Sequence, residues 1–146
     1  MMTLPEEGSD PGKFPTIHIL IVEDHQPTGE AVTALLLGTL GHTPPTGRAL
    51  AVRTVRDAES ALESIVNAPP DVVVMDISLP GMNGIEATRR LRNIAPAVPV
   101  IIRSRNDTEV YRAMAVEVGV RAFVSKRRTA QDLAFSIRRV LESDDG

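Results

Sequence analysis

The sequence predicts an α/β domain in which five strands alternate with five helices around a parallel sheet. Short apolar runs rich in β-branched residues recur along the chain, and each is followed by a segment with apolar residues at helical spacing. The run 72–76 is apolar up to its final carboxylate, which is typical of a strand buried on both faces. A chain of 146 residues has the length of one domain with one full core.

Composition narrows the functional classes. The chain is 42% apolar and 24% charged, which is ordinary for a globular protein. The net charge of -3 disfavours direct binding of nucleic acid, because phosphates are neutralised by Lys and Arg. Cysteine is absent, so disulfides and thiol chemistry are excluded. No signal peptide or membrane-spanning run is recognisable, and we expect a cytoplasmic protein that does not bind membranes.

Three segments are expected along the chain. Residues 1–15 are rich in proline, glycine and acidic residues and are predicted to be a disordered tail. Residues 16–142 form the predicted domain, and 143–146 are a polar end.

The predicted elements follow from apolar spacing and from the turn residues between them. Strands are expected at 17–22, 50–55, 72–76, 98–102 and 122–124. Helices are expected at about 27–40, between a cap at Asp57 and Pro69, and at about 84–94, 108–118 and 129–142, with a loop at 41–47. The arginines in and beside the second strand favour a place at the sheet edge.

Polar side chains follow or end four of the predicted strands. Glu23 and Asp24 follow the first, Asp76 ends the third, Ser104 follows the fourth and Lys126 follows the fifth. The carboxyl ends of parallel strands meet at one edge of a sheet, where such folds bind ligands. Crowded carboxylates repel one another unless a cation lies among them, and oxygen ligands suit Mg²⁺. With Mg²⁺ and Lys126 present the charges nearly balance, and Asp76 can accept a phosphoryl group held by Lys126 and Ser104.

In combination these motifs resemble the receiver domains of bacterial two-component response regulators. The resemblance covers about residues 17–141, and it rests on the acidic pair at 23–24, the stretch DISLPGMNG at 76–84, and the segments 99–104 and 119–126. It implies a flavodoxin-like (βα)5 fold, doubly wound in the strand order 2-1-3-4-5. It also implies a regulatory domain that is not an enzyme, except in catalysing its own phosphorylation and dephosphorylation.

The resemblance assigns roles to individual residues. Asp76 would accept phosphate from a sensor histidine kinase, and Lys126 would contact that phosphate. Mg²⁺ would be bound by Asp24, Asp76 and the Ser78 carbonyl, with Glu23 acting through water. Ser104 and Phe123 would form the switch pair.

The resemblance also suggests an output. The sequence Glu23-Asp24-His25 is most similar to receivers of transcription factors. Phosphorylation would then change the face formed by helix 4, strand 5 and helix 5. Val110 and Met114 form a second apolar stripe on helix 4, and with Phe135 they are candidate contacts for a homodimer or a partner.

Two arginines depart from the family pattern. Arg103 replaces a residue that is usually apolar, and Arg105 replaces a small residue next to the switch hydroxyl. Both are expected to modify the phosphorylation pocket. At the mouth of the pocket, Arg105 would pair with phosphate oxygens or block the approach of water, unless it extends into solvent or pairs with Asp107.

Two alternatives remain open at this stage. The arginines are compatible with a degenerate receiver that acts as an interaction module without phosphorylation. A phosphohydrolase of the haloacid dehalogenase type also uses an Asp nucleophile, but it carries a second Asp two residues later, where this chain has Ser78.

Overall fold

Strands and helices alternate throughout the part of the chain that the computed structural model describes, residues 16–40 and 49–145. The strands are β1 (Ile17–Val22), β2 (Leu50–Val55), β3 (Val72–Asp76), β4 (Val100–Ser104) and β5 (Ala122–Ser125). The helices are α1 (Gln26–Leu40), α2 (Ala58–Asn67), α3 (Gly84–Ile94), α4 (Glu109–Glu117) and α5 (Thr129–Asp145), with a short 3₁₀ turn over Lys126–Arg128. The predicted tail at 1–15, the predicted loop at 41–47 and residue 146 lie outside the described residues.

The sheet has the order β2-β1-β3-β4-β5. All four pairings are parallel. The predicted flavodoxin-like fold is therefore confirmed, and so is the edge position of β2. The side chain of Arg53 in β2 extends to the end of α2, where Nη2 donates to the Ala68 carbonyl oxygen at 2.6 Å.

Both faces of the sheet are covered by helices. Side chains of α2, α3 and α4 pack on one face, where Leu20, Met75 and Ile102 are buried. Side chains of α1 and α5 pack on the other, where Ile19, Val74 and Ile101 are buried. This alternation explains the unbroken apolar runs, since successive residues of a central strand enter different halves of the core. No helix in the described ranges has the length and apolar character needed to cross a bilayer.

The fourth strand differs most from its prediction. It spans Val100–Ser104 and not 98–102, because Val98 belongs to a turn in which its N–H donates to the Ala95 carbonyl oxygen at 3.0 Å. Arg103 and Ser104 are therefore strand residues, and both are buried. Smaller shifts place Ser125 in β5, start α1 at Gln26, shorten α4 by one residue at each end and extend α5 to Asp145.

Side-chain caps fix the starts of two helices. Asp57 Oδ1 accepts a hydrogen bond from the Ser60 N–H at 2.7 Å and caps α2, and this bond lowers the pKa of Asp57 below its usual value. Asn83 Oδ1 caps α3 in the same way, at 2.9 Å from the Glu86 nitrogen. At the next residue, Gly84, a Cβ atom would overlap the Asp76 carbonyl oxygen, so only glycine lets α3 begin this close to the end of β3.

Candidate functional site

Three carboxylates meet at the carboxyl end of the sheet. Glu23 and Asp24 follow β1, and Asp76 ends the neighbouring strand β3, so the sheet order itself brings them together. One oxygen from each lies within 4.8 Å of the others. Glu23 and Asp76 are 4% and 3% exposed, whereas Asp24 is exposed. Two negative charges are thus held in a largely dehydrated place, which requires nearby cations.

Lys126 supplies one of those cations. Its Nζ donates to Asp76 Oδ2 at 2.9 Å and lies 3.7 Å from Glu23 Oε1. The side chain enters the pocket because β5 ends at Ser125, whose Oγ accepts from the Arg127 N–H at 3.3 Å and starts the 3₁₀ turn. The structure therefore places Lys126 where the sequence analysis expected it.

The two serines of the expected site are placed differently. The Ser78 N–H donates to Asp76 Oδ1 at 3.1 Å, and Ser78 lines the acidic cavity of about 370 Å³. Ser104 does not line this cavity. Its Oγ donates to the Asn106 carbonyl oxygen at 3.1 Å and accepts from the Asn106 N–H at 3.0 Å. The hydroxyl is therefore engaged in its own turn and not with Asp76.

Arg103 is a second cation of the site. It was expected to modify the pocket, but its contact with Glu23 was not predicted. Its side chain points to the α1 and α5 face, as does that of Ile101 two residues earlier. Nη1 lies 3.1 Å from Glu23 Oε1, and Nε donates to Thr129 Oγ1 at 2.9 Å. The residue is 7% exposed. The period of two along β4, joined to the polar Thr129 at the start of α5, was the available signal.

Arg105 lies exposed at the rim of the acidic cavity. Asp107 is not its partner, because the Asp107 Oδ2 lies 2.8 Å from Nη2 of Arg127. That hydrogen bond holds the pKa of Asp107 below its usual value. The expected alternative of an Arg105–Asp107 pair is therefore wrong for this structure. Thr28 also lines the cavity and was not predicted, and its Oγ1 lies 2.6 Å from Nδ1 of His25.

The expected switch and interface residues lie on one side of the domain. Phe123 is half-buried against the core, and the Arg112 guanidinium lies 4.6 Å from the centre of its ring. Val110, Met114 and Phe135 are 66%, 38% and 55% exposed. β5 is an edge strand, and α4 and α5 pack on opposite faces of the sheet. We call the surface with these three exposed side chains the α4–β5–α5 face.

The donor set fits Mg²⁺. Mg²⁺ prefers oxygen ligands and keeps several waters. Asp24 and Asp76 offer carboxylate oxygens, Ser78 lines the same cavity, and its 370 Å³ has room for water. Within the described part of the chain, the Asp24 carboxylate makes no hydrogen bond or ion pair, which leaves it available to a cation.

Comparison with known proteins decides the family. A family model described as the response regulator receiver domain matches residues 19–138. The chain belongs to this family. Among curated receivers it is 32% identical to the transcriptional regulatory protein DegU of Brevibacillus brevis over 126 residues, covering 86% of this chain and 50% of DegU. It is also 32% identical to RegX3 of Mycobacterium tuberculosis over 123 residues, covering 84% and 50%.

Solved receiver structures agree with the fold. A two-component response regulator of the LuxR family from Aurantimonas superposes with a TM-score of 0.76 at 29% identity, covering 88% of this chain and 87% of the other. A CheY-like receiver from Methanospirillum hungatei gives 0.78 at 21% identity, covering 90% and 98%, and shows the fold alone. The predicted family and its transcriptional relatives are thus confirmed, while the chain spans about half the length of the curated relatives it matches.

Proposed function

We propose that this receiver domain accepts a phosphoryl group on Asp76 from a sensor histidine kinase in the cytoplasm, with Mg²⁺ bound, and thereby controls an output such as transcription. The observation that carries the proposal is the buried Asp76 carboxylate, 2.9 Å from the Lys126 ammonium and grouped with Glu23 and Asp24. A carboxylate held beside a cation at a strand end is suited to act as a nucleophile toward an anionic phosphoryl donor.

In the proposed step, a carboxylate oxygen of Asp76 forms a bond to phosphorus. The bond from phosphorus to the histidine nitrogen of the donor breaks, and its electron pair stays on that nitrogen. Lys126 Nζ, which donates to Asp76 Oδ2 in the unphosphorylated structure, stabilises negative charge on the phosphoryl oxygens. Bound Mg²⁺ would supply further neutralisation of phosphoryl and carboxylate oxygens. The Ser78 N–H holds the other carboxylate oxygen and fixes the direction of attack.

The domain should therefore be labelled by a small phosphoryl donor without any kinase. Incubated with acetyl phosphate and Mg²⁺, the chain should gain the mass of one phosphoryl group, and peptide mapping should place it on Asp76. A chelator should prevent the gain, since the metal-free carboxylates repel an incoming anion.

Four other outcomes would each contradict the proposal. Labelling in chelator, or on another residue, would contradict the assignment of Asp76 and Mg²⁺. Absence of an acyl phosphate under all conditions would favour a phosphorylation-independent interaction module. Multiple turnover of a small phosphate ester would favour a hydrolase.

The proposed response is a change at the α4–β5–α5 face. Ser104 would leave Asn106 and turn toward the phosphoryl group, and Phe123 would move inward into the space released. Arg112 now lies over the Phe123 ring, so this movement would break a cation–π contact and shift α4, which carries Val110 and Met114. We propose that the altered face binds a second copy of the chain.

Phe135→Asp should prevent that association. The side chain is 55% exposed, and a charge there would require desolvation in an apolar interface. Phosphorylated wild type should sediment as a dimer, whereas phosphorylated Phe135→Asp should remain a monomer. The matched control is Val66→Asp, which changes an apolar residue on α2 that is 64% exposed. Equal mass for wild type with and without phosphate would count against the dimer.

A further inference from the structure

Arg103 gives this acidic site a buried cation in addition to Lys126, at a strand position within the sheet. From its contacts we infer that Arg103 weakens Mg²⁺ binding to the unphosphorylated domain and strengthens binding of the phosphoryl group once Mg²⁺ is bound. This inference deepens the proposed function and rests on it. It makes Arg103 a positioning residue that acts through Glu23.

The geometry leaves Arg103 little freedom to leave the site. Nη1 is 3.1 Å from Glu23 Oε1, and both side chains are at least nine-tenths buried. Nε is anchored on Thr129 Oγ1, which itself donates to the Lys126 carbonyl oxygen at 2.9 Å. The guanidinium is therefore tied to the same turn that carries Lys126, and it remains beside the carboxylates whether or not a metal is bound.

Glu23 is the group through which Arg103 acts. Oε1 faces Arg103 and Lys126, and Oε2 accepts from the His25 N–H at 3.2 Å. Every oxygen of this carboxylate already has a protein donor. A metal with its waters must compete with those donors for Glu23, whereas in a pocket without Arg103 the carboxylate would have only Lys126 as a charged partner.

Charge counting gives the direction of the effect. The three carboxylates with Lys126 and Arg103 leave one net negative charge in the metal-free site. Bound Mg²⁺ would give the site a net positive charge. Without Arg103, the metal-free pocket would carry two negative charges and would bind Mg²⁺ more tightly. Phosphorylation replaces a singly charged carboxylate with a group of about two negative charges. The site with Mg²⁺, Arg103 and the phosphoryl group together is then close to neutral.

The experiment measures two affinities that should change in opposite directions. Titration calorimetry would give the Mg²⁺ affinity of wild type, Arg103→Gln and Arg103→Met without phosphate. We expect both variants to bind Mg²⁺ about tenfold tighter, the size of effect given by one nearby unit charge at the intermediate dielectric of a partly buried site. At saturating Mg²⁺, the same variants should bind beryllofluoride, an anionic phosphoryl analogue, several-fold more weakly than wild type.

Two further variants separate charge from structure. Arg103→Lys keeps the charge and should stay close to wild type in both affinities. If Arg103→Met fails to fold, Arg103→Gln still tests the charge, because it keeps hydrogen-bond donors for Glu23. Arg127→Met removes an exposed arginine of the neighbouring cleft and should change either affinity less than twofold.

Other results would contradict the inference, the proposed function or both. Unchanged Mg²⁺ affinity in Arg103→Gln, or a loss of both affinities together, would overturn the inference, since a merely structural role weakens both. If wild type itself binds no Mg²⁺, the proposed function fails as well. If wild type binds Mg²⁺ and Arg103→Gln binds it with the same affinity, the inference about Arg103 is wrong and the proposed function is unaffected.

Discussion

Asp76→Asn should leave the domain folded and abolish its phosphorylation. The amide oxygen can still accept from the Ser78 N–H, which is 3.1 Å from Asp76 Oδ1, so the turn after β3 is retained. The ion pair with Lys126 is lost, but so is one of three crowded carboxylates, and these effects oppose each other. An uncharged amide is not a nucleophile toward phosphorus. Labelling by acetyl phosphate with Mg²⁺ should therefore fall to background.

The control is Asp71, an aspartate at the other end of β3 whose side chain also accepts a hydrogen bond from a backbone N–H. Asp71 accepts from the His18 N–H at 2.8 Å and is remote from the carboxylates. Asp71→Asn should be labelled like wild type. Urea unfolding of both variants would establish that loss of label is not loss of fold. A stable Asp76→Asn that still gains phosphate would refute the assignment of the phosphoacceptor.

Lys126→Met should fold, bind Mg²⁺ more tightly and be phosphorylated far more slowly. Methionine keeps an apolar stem, and the hydrogen bond from Thr129 Oγ1 to the backbone carbonyl of residue 126 is unaffected. The variant loses the ammonium 2.9 Å from Asp76 Oδ2. Removing one such donor to transition-state charge costs about 10²- to 10³-fold in rate. The loading rate from acetyl phosphate at saturating Mg²⁺ is the measurement.

The direction of the change in Mg²⁺ affinity shows whether slower phosphorylation of Lys126→Met reflects loss of the ammonium or general damage to the site. Loss of Lys126 makes the metal-free site more negative, so calorimetry should show tighter Mg²⁺ binding while loading becomes slower. General damage to the site would weaken both. A loading rate within twofold of wild type would mean that Lys126 has a structural role only.

The fold was predictable where local pattern and tertiary environment agree. The apolar run of β3 and its final Asp76 are recognisable without any partner, because a strand covered on both faces needs no alternation. Asp57 was also predictable as a cap, because its hydrogen bond is made to the N–H of a residue only three positions along the chain. The strand order was inherited from the family resemblance, and spacing alone would not have given it.

The prediction was least successful in β4. The predicted strand 98–102 ends before Arg103. A charged residue is rarely buried, and its compensating partner Glu23 is 80 residues away along the chain. The period of two along β4 places Arg103 on the α1 and α5 face, but no local pattern identifies Glu23 as its partner. The same limit applied to Asp107, for which Arg105 was the nearest cation in sequence and Arg127 the nearest in space.

In the proposed response, the turn that holds Ser104 would set how often the unphosphorylated domain adopts the switched arrangement. Leaving Asn106 would break two hydrogen bonds, each with a net value of about 1 kcal/mol. If nothing replaces them, the switched arrangement is populated at about 3% in the unphosphorylated protein, since 1.4 kcal/mol is about a factor of ten. A minor state of this size is within reach of relaxation-dispersion NMR. Such a population would set a floor on basal output, and hence a ceiling of about thirtyfold on the gain of the switch.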